Sequence, residues 1–128
     1  MRAIALEEHF TVPQLARCID PEVVRRRGYR PRRLAPGAVN PMELAAEIGD
    51  QRLALMDEAG IAMQVLSNTG PGPDLVPGPE GVAMAAAMND HLAAAVARAP
   101  DRFAGLAVLP MASPDHCAAE LDRCVRQL

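Results

Sequence analysis

The chain has 128 residues, 50 % of them hydrophobic but only 2 % aromatic, with 23 % charged, a formal charge of −3, twelve prolines and nine glycines. That composition excludes a disordered chain, a collagen-like repeat and a disulfide scaffold. The mild acidity, and arginines that are not interleaved with aromatics, set nucleic-acid partners aside.

Arg2 precedes a short apolar run that meets Glu7 and Glu8 almost at once, so the opening is too short for a secretory signal. No apolar run approaches the roughly 18 residues that span a bilayer. A cytoplasmic protein with no membrane partner is the expectation. Cys18, Cys117 and Cys124 form no C-x-x-C pair and are odd in number, which predicts buried free thiols in a reducing compartment.

In chain order, Ile4-Ala5-Leu6 predicts a buried strand that emerges at Glu7-Glu8-His9. Thr11 to Pro41, broken by prolines, predicts a long excursion with one short helix near Pro21 to Arg27. Its basic clusters, Arg25-Arg26-Arg27 and Arg30, Arg32 and Arg33, read as a solvated surface. Ile48, Leu55, Met56 and Ala59 predict an amphipathic helix within Pro41 to Ala59, closed by Gly60. Ile61 to Leu66 predicts a second buried strand, followed from Ser67 to Pro79 by a Gly-Pro-rich loop that is neither helix nor central strand.

Met84, Met88, Leu92, Ala95 and Val96 place a core-facing stripe on a helix from about Glu80 to Ala99. Phe103 to Leu109 predicts a third strand. Ser113 as N-cap with Pro114 behind it predicts a last helix carrying the stripe Cys117, Leu121, Cys124, Val125 and Leu128.

Apolar strands alternating with amphipathic helices give an α/β class with a parallel sheet and right-handed crossovers. Three such units are the first three of a (β/α)8 barrel, a fold of about 250 residues. The expectation for 1–128 is a partial barrel domain, incomplete at its C-terminus. Its unpaired edges invite association with a second copy or with a chain that supplies the missing strands.

Period-two alternation puts Glu7 and His9 on one side of the first strand and Glu8 on the other. A carboxylate and an imidazole so placed can reach one divalent cation such as zinc. On spacing alone the pair equally marks where the strand leaves the core. Ser67, Asn68 and Thr69 follow the second strand at the same end and are candidates for hydrogen bonds to a substrate. Pro71 and Pro73 remove the N–H donors a phosphate cradle would need. His91 and His116, beside Asp90 and Asp115, read as solvent-facing helix residues.

Ile4-Ala-Leu-Glu-Glu-His-Phe10 resembles the opening of the amidohydrolase-related decarboxylases, the group that includes gamma-resorcylate and 2,3-dihydroxybenzoate decarboxylases. Arg52-Leu-Ala-Leu-Met-Asp57 with Gly60-Ile61, Asn89-Asp90 with Leu92, Pro100-Asp-Arg-Phe103, Leu109-Pro110 and Glu120-Leu-Asp-Arg-Cys124 extend the resemblance, in order, over nearly the whole chain. It implies that Glu7 and His9 are ligands of a divalent metal, zinc or manganese, with the catalytic residues and remaining ligands beyond Leu128. The reaction implied is decarboxylation of a small hydroxylated aromatic carboxylic acid, by a fragment inactive alone. The alternatives are a metal-dependent hydrolase of the same superfamily or a non-catalytic partial-barrel protein. The stretch from Arg17 to Arg33 departs from the family by its extra arginines and by lacking the family's aromatic residues.

Overall fold

The computed structural model describes residues 2–30 and 33–128; Arg32 of the second basic cluster lies outside the described residues, as do Met1 and Pro31. Three strands, β1 (Ala3–Phe10), β2 (Ile61–Asn68) and β3 (Phe103–Gly105), form one parallel sheet in the order β1-β2-β3. Parallel pairing requires a long crossover between neighbours, and the intervening segments supply it. The α/β class and the parallel sheet agree with the sequence.

The excursion after β1 holds two short helices, where one was expected: α1 (Pro13–Ala16) and α2 (Pro21–Arg26). Both begin on a proline, whose missing N–H costs nothing in the first turn. The Asp20 side chain also accepts from the Glu22 N–H at 2.8 Å to cap α2. Arg25 and Arg26 both bond Glu22 on the exposed surface, as a solvated face would.

The single helix expected over Pro41 to Ala59 is two, α3 (Pro41–Ala46) and α4 (Asp50–Glu58). Glu47 makes the break. Its carboxylate accepts from Gly49 N at 2.8 Å and from Arg52 N at 2.7 Å, satisfying orphan donors at the start of α4. Gly60 closes α4 at φ +68°, the left-handed conformation for which glycine was expected there.

Helix α5 (Pro79–Arg98) follows a one-turn 3-10 helix at Pro73–Leu75, so the Gly-Pro loop is not wholly irregular, and β2 itself runs on through Ser67 and Asn68. Met84, Met88, Leu92 and Ala95 of α5 are buried against Phe10, Leu66 and Phe103 of the sheet and Met56 of α4. Burying a side chain of that size stabilises by about 1.5–3 kcal/mol each, so this one-sided cluster carries most of the fold. Among the described residues, only one face of the sheet is covered. Ile4 and Leu6, expected in the core, lie on the other face, and Leu6 is 65 % exposed.

The third strand is shorter than Phe103 to Leu109. Leu106 N still reaches Leu66 O at 2.9 Å, but the chain then leaves the sheet, because the Asn89 side chain on α5 takes both backbone groups of Val108. Ser113 does not cap the last helix. Its hydroxyl accepts from Gly78 N at 2.8 Å, and a 3-10 turn at Pro114–His116 leads into α6 (Cys117–Gln127).

The expected apolar stripe of α6 is not buried either. Leu121, Val125 and Leu128 are exposed, Val125 at 77 %, and the buried residue of α6 is Glu120. The thiols are free as expected but not buried: Cys18 is exposed, Cys117 and Cys124 half-buried.

Arginines tie the remaining seams. Arg102 donates to Ala62 O (3.0 Å), Ile61 O (3.3 Å) and Asp57 (2.7 Å), locking the start of β2 to α4 and to the turn before β3. Arg123 on α6 bonds Glu120 and reaches Asp90 on α5 at 2.7 Å. Among the described residues no helix is long and apolar enough to cross a membrane.

Candidate functional site

The pairing of β1 with β2 sets the geometry at the C-terminal end of the sheet. Ala5 pairs with Gln64 and Glu8 with Leu66, so Leu6 and Glu7 together stand opposite Val65, a slip of one residue. A bulge of this kind re-phases the strand. Ile4 before it and both Leu6 and Glu7 within it are exposed; after it, His9 is exposed, while Glu8 is half-buried and Phe10 fully buried. The apolar start of β1 and its carboxylate and imidazole therefore share the open face, which strict alternation from Leu6 would not allow.

Glu8 points to the helix side. There it lines a cavity of ≈ 290 Å³ with Glu47, Arg52 and Gln64. Burial pushes the Arg52 guanidinium below its ordinary value, and the charges of Glu8 and Glu47 oppose the shift. Arg52 also donates to Leu44 O at 3.0 Å, so Glu8 faces a structural cation.

His9 pairs with Ser67 in register, and the ring Nδ1 lies 3.1 Å from Ser67 Oγ. The same hydroxyl is 3.3 Å from Glu8 O. Asn68, paired with Phe10, follows the opposite phase to Ser67. Its Oδ1 is buried without a hydrogen-bond partner, and its Nδ2 sits where a Cβ at Gly72 would come within 2.7 Å. Thr69 N bonds Phe10 O at 2.9 Å, lashing the two strand ends together. Of the three polar residues singled out after β2, the structure brings Ser67 alone into contact with His9.

Tyr29 was not singled out. Its hydroxyl rests against Gly70, where any side chain would collide with it, and with Arg30, Asn40 and Pro71 it lines a cavity of ≈ 540 Å³ beside the end of β2. The signal available was its being the one tyrosine of the chain, set in a basic, proline-rich stretch. His91 and His116 are exposed on their helices, as expected.

A carboxylate and an imidazole exposed side by side along a strand end suit a divalent cation in donor chemistry. Among the described residues, no group of three or more His, Cys, Asp or Glu side chains stands close enough to hold one. The chain thus offers part of a ligand set, where a catalytic zinc site takes three protein ligands.

No family model matches the chain. It is 40 % identical over 129 residues to a gamma-resorcylate decarboxylase of Rhodococcus jostii, covering 98 % of this chain and 35 % of that protein. The chain is similar to gamma-resorcylate decarboxylases over 98 % of its own length. It spans about a third of the length of the curated relatives it matches.

Solved structures agree. A dihydroxybenzoic acid decarboxylase from a Polaromonas species, with bound manganese and the inhibitor 2-nitroresorcinol, superposes with a TM-score of 0.77 at 35 % identity over 99 % of this chain and 36 % of its own. The 5-carboxyvanillate decarboxylase of Novosphingobium aromaticivorans, complexed with manganese and 4-hydroxy-3-methoxy-5-nitrobenzoic acid, gives 0.83 at 29 % identity, over 99 % and 39 % of the two chains.

Proposed function

We propose that the chain carries two of the metal ligands, Glu7 and His9, of a decarboxylase acting on small hydroxylated aromatic carboxylic acids, and is one partial barrel unit over 1–128. The observation that carries this reading is the bulge in β1. It turns a carboxylate and an imidazole to the open face of the sheet while Glu8 lies on the helix side, in the same cavity as Arg52. The cation, manganese or zinc, would supply positive charge that holds and orients a substrate carboxylate.

The chain's own residues do the positioning. Glu7 offers a carboxylate oxygen and His9 the ring nitrogen not engaged by Ser67. Thr69, past the end of β2, has a hydroxyl that enters none of the described hydrogen bonds and is assigned the contact with substrate. A third ligand and a proton donor from outside the described residues, from a longer chain, a second copy or a partner, belong to this reading, and the 128-residue chain alone is expected to be inactive. Free thiols, exposed at Cys18 and half-buried at Cys117 and Cys124, fit a cytoplasmic setting.

The test is a titration of the full chain with manganese, read by loss of the free-ion paramagnetic resonance signal. Binding that is lost in Glu7→Gln and in His9→Ala but kept in Glu8→Gln is the expected result. Binding that survives both of the first two variants, or no binding by the unaltered chain, overturns the assignment.

A further inference from the structure

Ser67 stands at the end of β2, on the same face as His9 and directly opposite it in the register. Two contacts of its hydroxyl, 3.1 Å to His9 Nδ1 and 3.3 Å to Glu8 O, cannot be made with arbitrary protons. A hydroxyl has one hydrogen, and a backbone carbonyl can only accept. If Ser67 gave its hydrogen to the ring, its oxygen would face the Glu8 carbonyl lone pair to lone pair. If it gives the hydrogen to Glu8 O, its own lone pair is free to accept from a ring N–H, and both contacts become hydrogen bonds. The second arrangement satisfies every atom.

We infer that Ser67 is a positioning residue that fixes His9 as the Nδ1–H tautomer, leaving the Nε2 lone pair bare on the open face for a divalent cation. Free histidine prefers the opposite tautomer, with the hydrogen on Nε2, in which that nitrogen cannot be a ligand. The hydrogen bond made by one ring nitrogen decides what the other can do, and the partner that makes it restrains the ring plane as well. Glu8 has a part through its backbone alone. Its carbonyl orients the hydroxyl that orients the ring, while its carboxylate lies on the other side of the sheet beside Arg52.

The same geometry removes Ser67 from direct work on a substrate, because its one hydrogen is already committed to Glu8 O and a substrate carboxylate needs a donor. The role rests on the reading of His9 as a metal ligand, but its first half, the tautomer, can be measured with no metal at all.

The experiment uses the full metal-free chain labelled with 15N, at a pH where the imidazole is neutral, and reads the His9 ring nitrogens by long-range 1H–15N correlation. His91 and His116 serve as internal references for exposed rings. His9 is expected in the Nδ1–H form, Ser67→Ala is expected to shift it toward the Nε2–H form, and Ser67→Thr, which keeps the hydroxyl, is expected to restore it. A His9 that shows the Nε2–H form in the unaltered chain overturns the inference, whatever the variants do and whether or not Ser67→Ala folds.

The second measurement is manganese affinity. A partner behind a ligating histidine is typically worth about 10–100-fold in affinity, and a loss of that size is expected in Ser67→Ala but not in Ser67→Thr. Equal affinity in Ser67→Ala and the unaltered chain overturns the positioning role. An Nδ1–H His9 in a chain that binds no manganese overturns the metal reading while upholding the tautomer assignment, so the two failures are told apart.

Discussion

Replacing Asn89 by alanine tests whether the side-chain network beside β3 holds the third unit in place. Asn89 is 3 % exposed and makes three hydrogen bonds: Nδ2 to Val108 O (2.9 Å), Nδ2 to Glu120 Oε1 (2.6 Å), and Oδ1 from Val108 N (2.8 Å). Asn89→Ala leaves the N–H and C=O of a buried residue without partners and takes one donor from a carboxylate that is 7 % exposed. Each buried group left unsatisfied costs about 1–3 kcal/mol, more when it is charged.

A groove lined by Gly105, Leu106 and Ala107 adjoins Asn89 and admits water to part of this region, which puts the sum at about 3–5 kcal/mol rather than at the upper bound. A domain has about 5–15 kcal/mol in all, so the loss is about a fifth of it or more. With a urea slope of about 2 kcal/mol/M, the midpoint of unfolding followed by far-ultraviolet circular dichroism should fall by about 1.5–2.5 M. Asn89→Asp should be no better at neutral pH, because it sets a second carboxylate against Glu120, and should recover on acidification as the pair takes up a proton. A change below about 1 kcal/mol in Asn89→Ala would refute the reasoning and show that Val108 finds other partners.

Acid stability should report the same network. The Arg123 guanidinium beside Glu120, helped by Asn89, holds that carboxyl below its ordinary value of 4.5 against the opposing effect of burial. A depressed folded-state value gives stability that is complete above about pH 4.5 and is lost as the pH falls through the folded value. The urea midpoint of the unaltered chain should therefore drop in that window, and that of Glu120→Gln should drop less. Gly81→Ala should destabilise by about 1–3 kcal/mol although alanine is the better helix former, because its Cβ would collide with the backbone carbonyl of Val76, which cannot rotate away. Gly105→Ala meets only the flexible end of Leu92, at 2.6 Å, and should lose less in thermal unfolding.

The residues that carry the resemblance to the decarboxylases prove to be mostly architectural. Arg52 anchors to the carbonyl end of α3, Arg102 clamps the start of β2, and Asn89, Glu120 and Arg123 join α5 to α6. Their order along the chain follows from the fold they hold together. The candidate site is the small remainder, Glu7, His9 and Ser67; strand period put the first two on one side, and the resemblance singled them out as ligands.

What the sequence determined by itself is what adjacent residues settle among themselves. The places of the three strands, the α5 stripe of Met84, Met88 and Leu92, the left-handed Gly60 and the proline-led helix starts all follow from backbone sterics and periodicity within a few residues. What only the tertiary structure decided is which partner wins a hydrogen bond when several compete. Ser113 has the chemistry of an N-cap but is taken by Gly78, 35 residues away, and Val108 has the chemistry of a strand but is taken by Asn89, 19 away. The slip in β1 and the turning of His9 toward Ser67, 58 residues distant, belong to the same class. A backbone or hydroxyl group bonds to whatever the packing of the helices and the sheet brings within about 3 Å, and that distance is not written in any local stretch of chain.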